Sequence, residues 1–153
     1  MSPKLVGAVI VAMAGALAAP MVTAGEVSKT VAFALDTWVP LGVKDGPVTL
    51  HRIRLAQQKG PLTESTLFRP GNSQFLDTVQ IQLDYSNPEK PDWKAEPDVV
   101  WVDDAGNEIG GYGDAESLDA GESRETATVT LSTLEYGLAH GRKLKIALTF
   151  NPE

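Results

Sequence analysis

The chain has 153 residues, 20 Asp and Glu against 13 Lys and Arg, a formal net charge of −7 and no cysteine. That length suits one domain and is too short for two comfortable ones, and without disulfides the fold must be held by its core. An acidic balance of this size argues against nucleic acid and anionic lipid as partners.

The first residues have the pattern of an export signal. Lys4 precedes an apolar run from Leu5 to Ala19, Pro20 ends it, and Val22-Thr23-Ala24 places small residues where a signal peptidase reads them. Ala16-Leu17-Ala18 is a second match, inside the run. Cleavage after Ala24 is the preferred reading, with a mature chain of 129 residues beginning at Gly25. The run is shorter than the ~20 apolar residues a bilayer span requires. No cysteine is available for lipid attachment. The sequence therefore predicts a periplasmic or secreted protein with no stable membrane anchor after processing, organised as 1–24 signal peptide and 25–153 single domain.

Beyond Gly25, apolar and polar residues alternate with the period of strands buried on one face. Thr30 to Leu35 is the first such run and Val48 to Ala56 the second, where apolar residues change parity around His51, the mark of a bulge. A long loop is expected from Lys59 to Asn72. Val79, Ile81, Leu83 and Tyr85 alternate with Thr78, Gln80, Gln82 and Asp84 in the clearest strand. Ser86 to Pro97, with three prolines, is expected as another loop. Val99 to Val102 is apolar on both faces and predicts a central strand with Trp101 in the core. Asp104-Ala105-Gly106-Asn107 then makes a hairpin turn into a strand at Ile109. A Thr-rich strand from Glu125 to Leu131, a short helical corner over Ser132 to Ala139, and a strand from Leu144 to Phe150 complete the chain. About seven short strands without a long helix predict an all-β, antiparallel two-sheet sandwich.

The Asp-Ala-Gly-Asn turn between strands, followed by Leu118-Asp119-Ala120-Gly121-Glu122, a Thr-rich strand, the Leu134 to Leu138 corner and the closing Leu/Ile/Leu strand, resembles the immunoglobulin-like domains of unknown function in exported bacterial proteins. The resemblance covers roughly residues 75 to 150. It implies an immunoglobulin-like sandwich with an accessory or binding role, and brings no functional residue with it.

The chemistry-bearing residues are sparse. All three Met lie in the leader, and His51 and His140 have no neighbouring ligand partner, which disfavours copper, zinc and redox sites. No serine has a nucleophile-elbow frame, and the Gly110, Gly111 and Gly113 stretch is followed by acids that would repel a phosphate. No cofactor is expected. Acids cluster between Asp84 and Glu125, 13 against 3 bases, and two groups could offer calcium hard oxygens: Asp103, Asp104, Asn107 and Glu108 around the hairpin turn, and Asp114, Glu116, Asp119 and Glu122 along one loop. Neither has EF-hand spacing, and both also suit turn formation. Asp92, Trp93 and Lys94 sit in a charged, proline-bounded stretch, where Trp93 either covers a sheet edge or anchors a binding surface. The leading expectation is a non-catalytic module that binds another cell-envelope protein. A small-ligand or calcium-dependent carbohydrate-binding module is the alternative, and an enzyme the third.

Overall fold

The computed structural model describes residues 25–58 and 76–153. The expected leader 1–24 and the expected loop Lys59 to Asn72 lie outside them.

Alternation produces the strands foreseen, and nine are present among the described residues: β1 Glu26–Ala32, β2 Val39–Asp45, β3 Val48–Gln57, β4 Leu76–Asn87, β5 Trp93–Val102, β6 Glu108–Gly113, β7 Glu116–Leu118, β8 Glu122–Leu134 and β9 Lys143–Pro152. One sheet is ordered β1-β9-β5-β6, with β7 also pairing β5; the other is ordered β2-β3-β4-β8. Every pairing is antiparallel. The two-sheet sandwich is the observed architecture. β5 is a central strand, with β9 on one side and β6 and β7 on the other.

The inner faces meet in a single apolar layer. Val48, Leu50, Ile53, Leu55, Val79, Ile81, Leu83 and Tyr85 from one sheet pack against Ala95, Val99, Trp101, Leu144, Ile146, Leu148 and Phe150 from the other. The parity change at His51 is a bulge: Leu50 pairs with Tyr85 and Arg52 with Asp84, so His51 is the extra residue. It keeps Leu50 and Ile53 both inside. Trp101 is fully buried, and its indole is admitted only because Gly110 faces it across the ladder, where a Cβ would lie 2.0 Å from Cε2.

Three boundaries differ from the sequence reading. β1 begins at Glu26 and the chain leaves the sheet at Phe33, whose N–H donates to the Arg142 carbonyl at 3.0 Å. β8 runs on to Leu134, so the helical corner is the shorter α1, Glu135–His140, seated with Gly137 against the Ile109 carbonyl. The expected loop Ser86 to Pro97 shrinks to residues 88–92, because β4 extends to Asn87 and β5 opens at Trp93. Pro97 is tolerated inside β5 because it falls where the neighbouring edge is interrupted: β7 pairs with Trp93 to Ala95, β6 with Asp98 onward, and among the described residues no strand lies opposite Pro97 on that side.

Candidate functional site

Position in β5 decides the fate of the first candidate. Trp93 points inward, is 4% exposed, and packs on Phe150 with ring centroids 5.9 Å apart and on the turn at Gly46. The structure thus corrects the expectation of Trp93 as a surface anchor: the strand starts earlier than the prolines suggest, and alternation carries the indole into the core. Asp92 and Lys94 are not a surface built around it. Asp92 accepts the Ala120 N–H at 2.8 Å, and Lys94 pairs with Glu96 at 3.0 Å.

The turn acids have structural work. Asp103 Oδ1 accepts the N–H groups of Ala105 and Asn107, each at 2.9 Å, and Oδ2 accepts the Asn107 side-chain amide at 3.0 Å. Those bonds, the Asn107 side chain first, hold the Asp103 carboxyl below its ordinary pKa. Gly106, at φ 83°, supplies the left-handed residue the turn needs. Asp104 lies 3.5 Å from Arg142, and Glu108 has moved into β6. In the second group, Asp114 caps the Ala115 N–H, Glu116 accepts the Tyr112 hydroxyl at 2.9 Å and Asp119 accepts the Ser117 hydroxyl at 2.8 Å. Asp103, Asp104, Asp114, Glu116 and Asp119 each serve a local contact of their own, and among the described residues no three His, Cys, Asp or Glu side chains converge. His51 shares a 2.6 Å hydrogen bond with Ser86, while His140 stacks on Tyr136.

A different constellation occupies the outer face of the β2-β3-β4-β8 sheet. Register places Pro40, Arg52, Asp84 and Thr126 side by side, and Arg54, Gln82 and Thr128 in the next row. The Asp84 side chain is 3% exposed; its Oδ2 accepts from Arg52 Nε and Arg124 Nη2, both at 2.7 Å. Burial pushes this carboxyl up, but the hydrogen bonds and charges of Arg124 and Arg52 outweigh it and hold the group below its ordinary pKa. Trp38, just ahead of β2, carries the guanidinium of Arg52 at 4.2 Å and that of Arg54 at 4.3 Å from its ring centroid. Arg54 Nε donates to Gln82 at 2.6 Å, Gln82 to Gln80 at 2.9 Å, and Gln80 to Thr130 at 3.4 Å. A connected polar network therefore crosses three strands.

No protein-family model matches this chain, and no curated protein does. Its function must be argued from its own surfaces.

The longest such feature is an edge. β8 spans 13 residues and, among the described residues, pairs only with β4, so its other side presents unpaired main-chain groups. From Thr126 to Leu134 it holds no charge, proline or glycine. Its inward Ala127, Val129 and Leu131 stay half-exposed, whereas their partners Leu83, Ile81 and Val79 are buried. Leu134, at the end of the strand, is 53% exposed and by alternation faces the other way.

The sequence reading names none of Trp38, Arg52, Arg54 and Arg124. Arg52 and Arg54, two apart within an alternating strand, signal a shared face; the partners that meet them across strands are set by register.

Proposed function

We propose that this chain is an exported, non-catalytic module that binds another protein of the cell envelope by adding a strand from that partner to the β8 edge. The observation that carries the reading is the unguarded stretch Thr126 to Leu134. Natural sheets blunt exposed edges with lysine, proline, bulges or short strands. This edge is long and has none of them over nine residues. An added strand gains main-chain hydrogen bonds from the ladder and specificity from alternate side-chain positions. Here Val129 and Leu131 offer the apolar contacts. A non-catalytic role is supported by the state of Asp84, a buried carboxylate whose acceptor capacity is taken by two arginines. The resemblance of residues 75 to 150 to immunoglobulin-like domains of exported bacterial proteins implies an accessory or binding role as well.

The test replaces Thr128 and Thr130, both exposed, by lysine, the residue that guards natural edges. Capture from envelope extracts with cross-linking and mass spectrometry is expected to retrieve one partner with the wild type, cross-linked within residues 126–134, and to lose it with Thr128→Lys/Thr130→Lys. Melting temperatures of the two proteins are expected to agree. Retrieval of the same partner by the double variant refutes edge binding.

A further inference from the structure

The outer face of the β2-β3-β4-β8 sheet has the opposite charge to the chain as a whole. Arg52, Arg54 and Arg124 lie on it with Lys44, which is exposed in the row of Thr49 and Ser86, and register gives that face Asp84 as its sole carboxylate among the described residues. The local balance is four cations to one anion in a protein of net charge −7. Glu96, Asp98 and Glu108 belong to the other sheet, and Asp114 and Asp119 to its connections. Packed sheets lie ~10 Å apart. Within the same sheet Asp45, Asp77, Glu122 and Glu125 stand at the inward register positions of Val48, Thr133, Asn87 and Tyr85, so the outward row itself keeps its cationic balance.

The face is also prepared for hydroxyl groups. Arg52 and Arg54 commit their Nε atoms to Asp84 and Gln82, and Trp38 orients both guanidinium planes. Their terminal nitrogens make no hydrogen bond among the described residues, and Arg54 has no ion-pair partner there. Gln80, Gln82, Thr126, Thr128 and Thr130 add side-chain amides and hydroxyls on adjacent strands, ~4.8 Å apart.

We infer that this face binds an anionic polysaccharide, with uronate carboxylates on the guanidinium groups of Arg54 and Arg52 and sugar hydroxyls on the Gln and Thr rows. Charge complementarity selects a polyanion, and the guanidinium fork suits a carboxylate. The side-chain array selects a glycan over an acidic peptide: the main-chain groups beneath it are already spent in the β3-β4 and β4-β8 ladders, so a peptide backbone finds no ladder to join. The two readings share the outward threonines of β8 but use different groups, main-chain groups for an added strand and side chains for a glycan, and the cations the glycan needs, Arg54 and Lys44, lie on β3 and β2 rather than on that edge.

Calorimetric titration of the purified chain with polygalacturonate at 0.15 M NaCl tests the inference, with neutral dextran, poly-L-glutamate and a single-stranded oligonucleotide as comparators. Polygalacturonate is expected to bind, more weakly as salt rises, and the comparators to bind at least tenfold more weakly. Arg54→Gln is expected to weaken polygalacturonate about tenfold, and Arg54→Gln/Lys44→Gln to weaken it further. Lys44 holds no ion pair among the described residues, so Lys44→Gln is expected to melt with the wild type, whereas Arg54→Gln gives up the Gln82 hydrogen bond and the Trp38 stack and is expected to melt a few degrees lower while remaining folded at the titration temperature. Lys44→Gln alone leaves the Trp38 stack intact and is expected to weaken binding on its own. Absence of binding to polygalacturonate, undiminished binding by the double variant, or equal binding of polyglutamate or the oligonucleotide overturns the inference.

Discussion

Replacing Trp93 by alanine tests whether the start of β5 is core. The indole is 4% exposed and wedged between Phe150 and Gly46, where even a Cβ would sit 3.1 Å from its Cζ2. A buried Trp removes 150–250 Å² from water, about 4–6 kcal/mol at 25 cal/mol per Å² as an upper figure. Measured truncations of this kind cost ~3–5 kcal/mol. Spread over a domain of this length, that lowers the melting temperature by about 10–15 °C, and it consumes much of a total stability of ~5–15 kcal/mol. Thermal unfolding followed by far-ultraviolet circular dichroism reads the shift. Trp93→Phe sharpens the test, because the indole Nε1 has no hydrogen-bond partner among the described residues and phenylalanine discards that buried donor while keeping most of the apolar contact. It is expected to cost under ~1.5 kcal/mol. A Trp93→Ala protein that melts within about 3 °C of the wild type would show that the indole is not packed as described.

Two further substitutions follow from the same geometry. Gly110→Ala drives a methyl into the Trp101 ring, which Gly137 and Phe33 also enclose, and is expected to cost ~3 kcal/mol in urea unfolding; Gly111→Ala, whose methyl meets Val100 and Val99 at 3.2 Å, costs less, and a reversed order refutes the packing. Asp84 has a folded-state pKa depressed below its ordinary 3.8, so the stability it contributes is present above about pH 4 and is lost as pH falls through the folded value. Denaturant unfolding between pH 5 and 2 is expected to show a steeper acid loss for the wild type than for Asp84→Asn, and parallel curves would remove Asp84 from the acid response.

The strands that were legible in the sequence are those whose alternation is clean. The bulge at His51 could be read because a parity change has one economical explanation, and the Asp104 to Asn107 hairpin because its glycine requires a positive φ. β2 was not legible: Val39, Leu41 and Val43 alternate, but Pro40 and Gly42 between them imitate a loop, and only its place at a sheet edge makes them tolerable. Trp93 was misplaced for a related reason, since the break between β6 and β7 that accommodates Pro97 is a tertiary fact. The Arg52-Asp84-Arg124 cluster joins three strands, with Arg124 40 positions from Asp84. Alternation puts all three on polar faces; which faces coincide depends on pairing that no local pattern encodes.

The order of strands also constrains when the protein can fold. β9, the last strand in the chain, lies between β1 and β5, and its partners in β1 are more than a hundred positions away. One sheet therefore has a gap at its centre until β9 is available, and nearly half the core has nothing to close against. Topologies dominated by such distant pairings are slow, because loop closure must precede any gain from contact. For a chain exported as proposed above, pairing that waits for β9 would leave the polypeptide threadable until that strand has crossed the membrane.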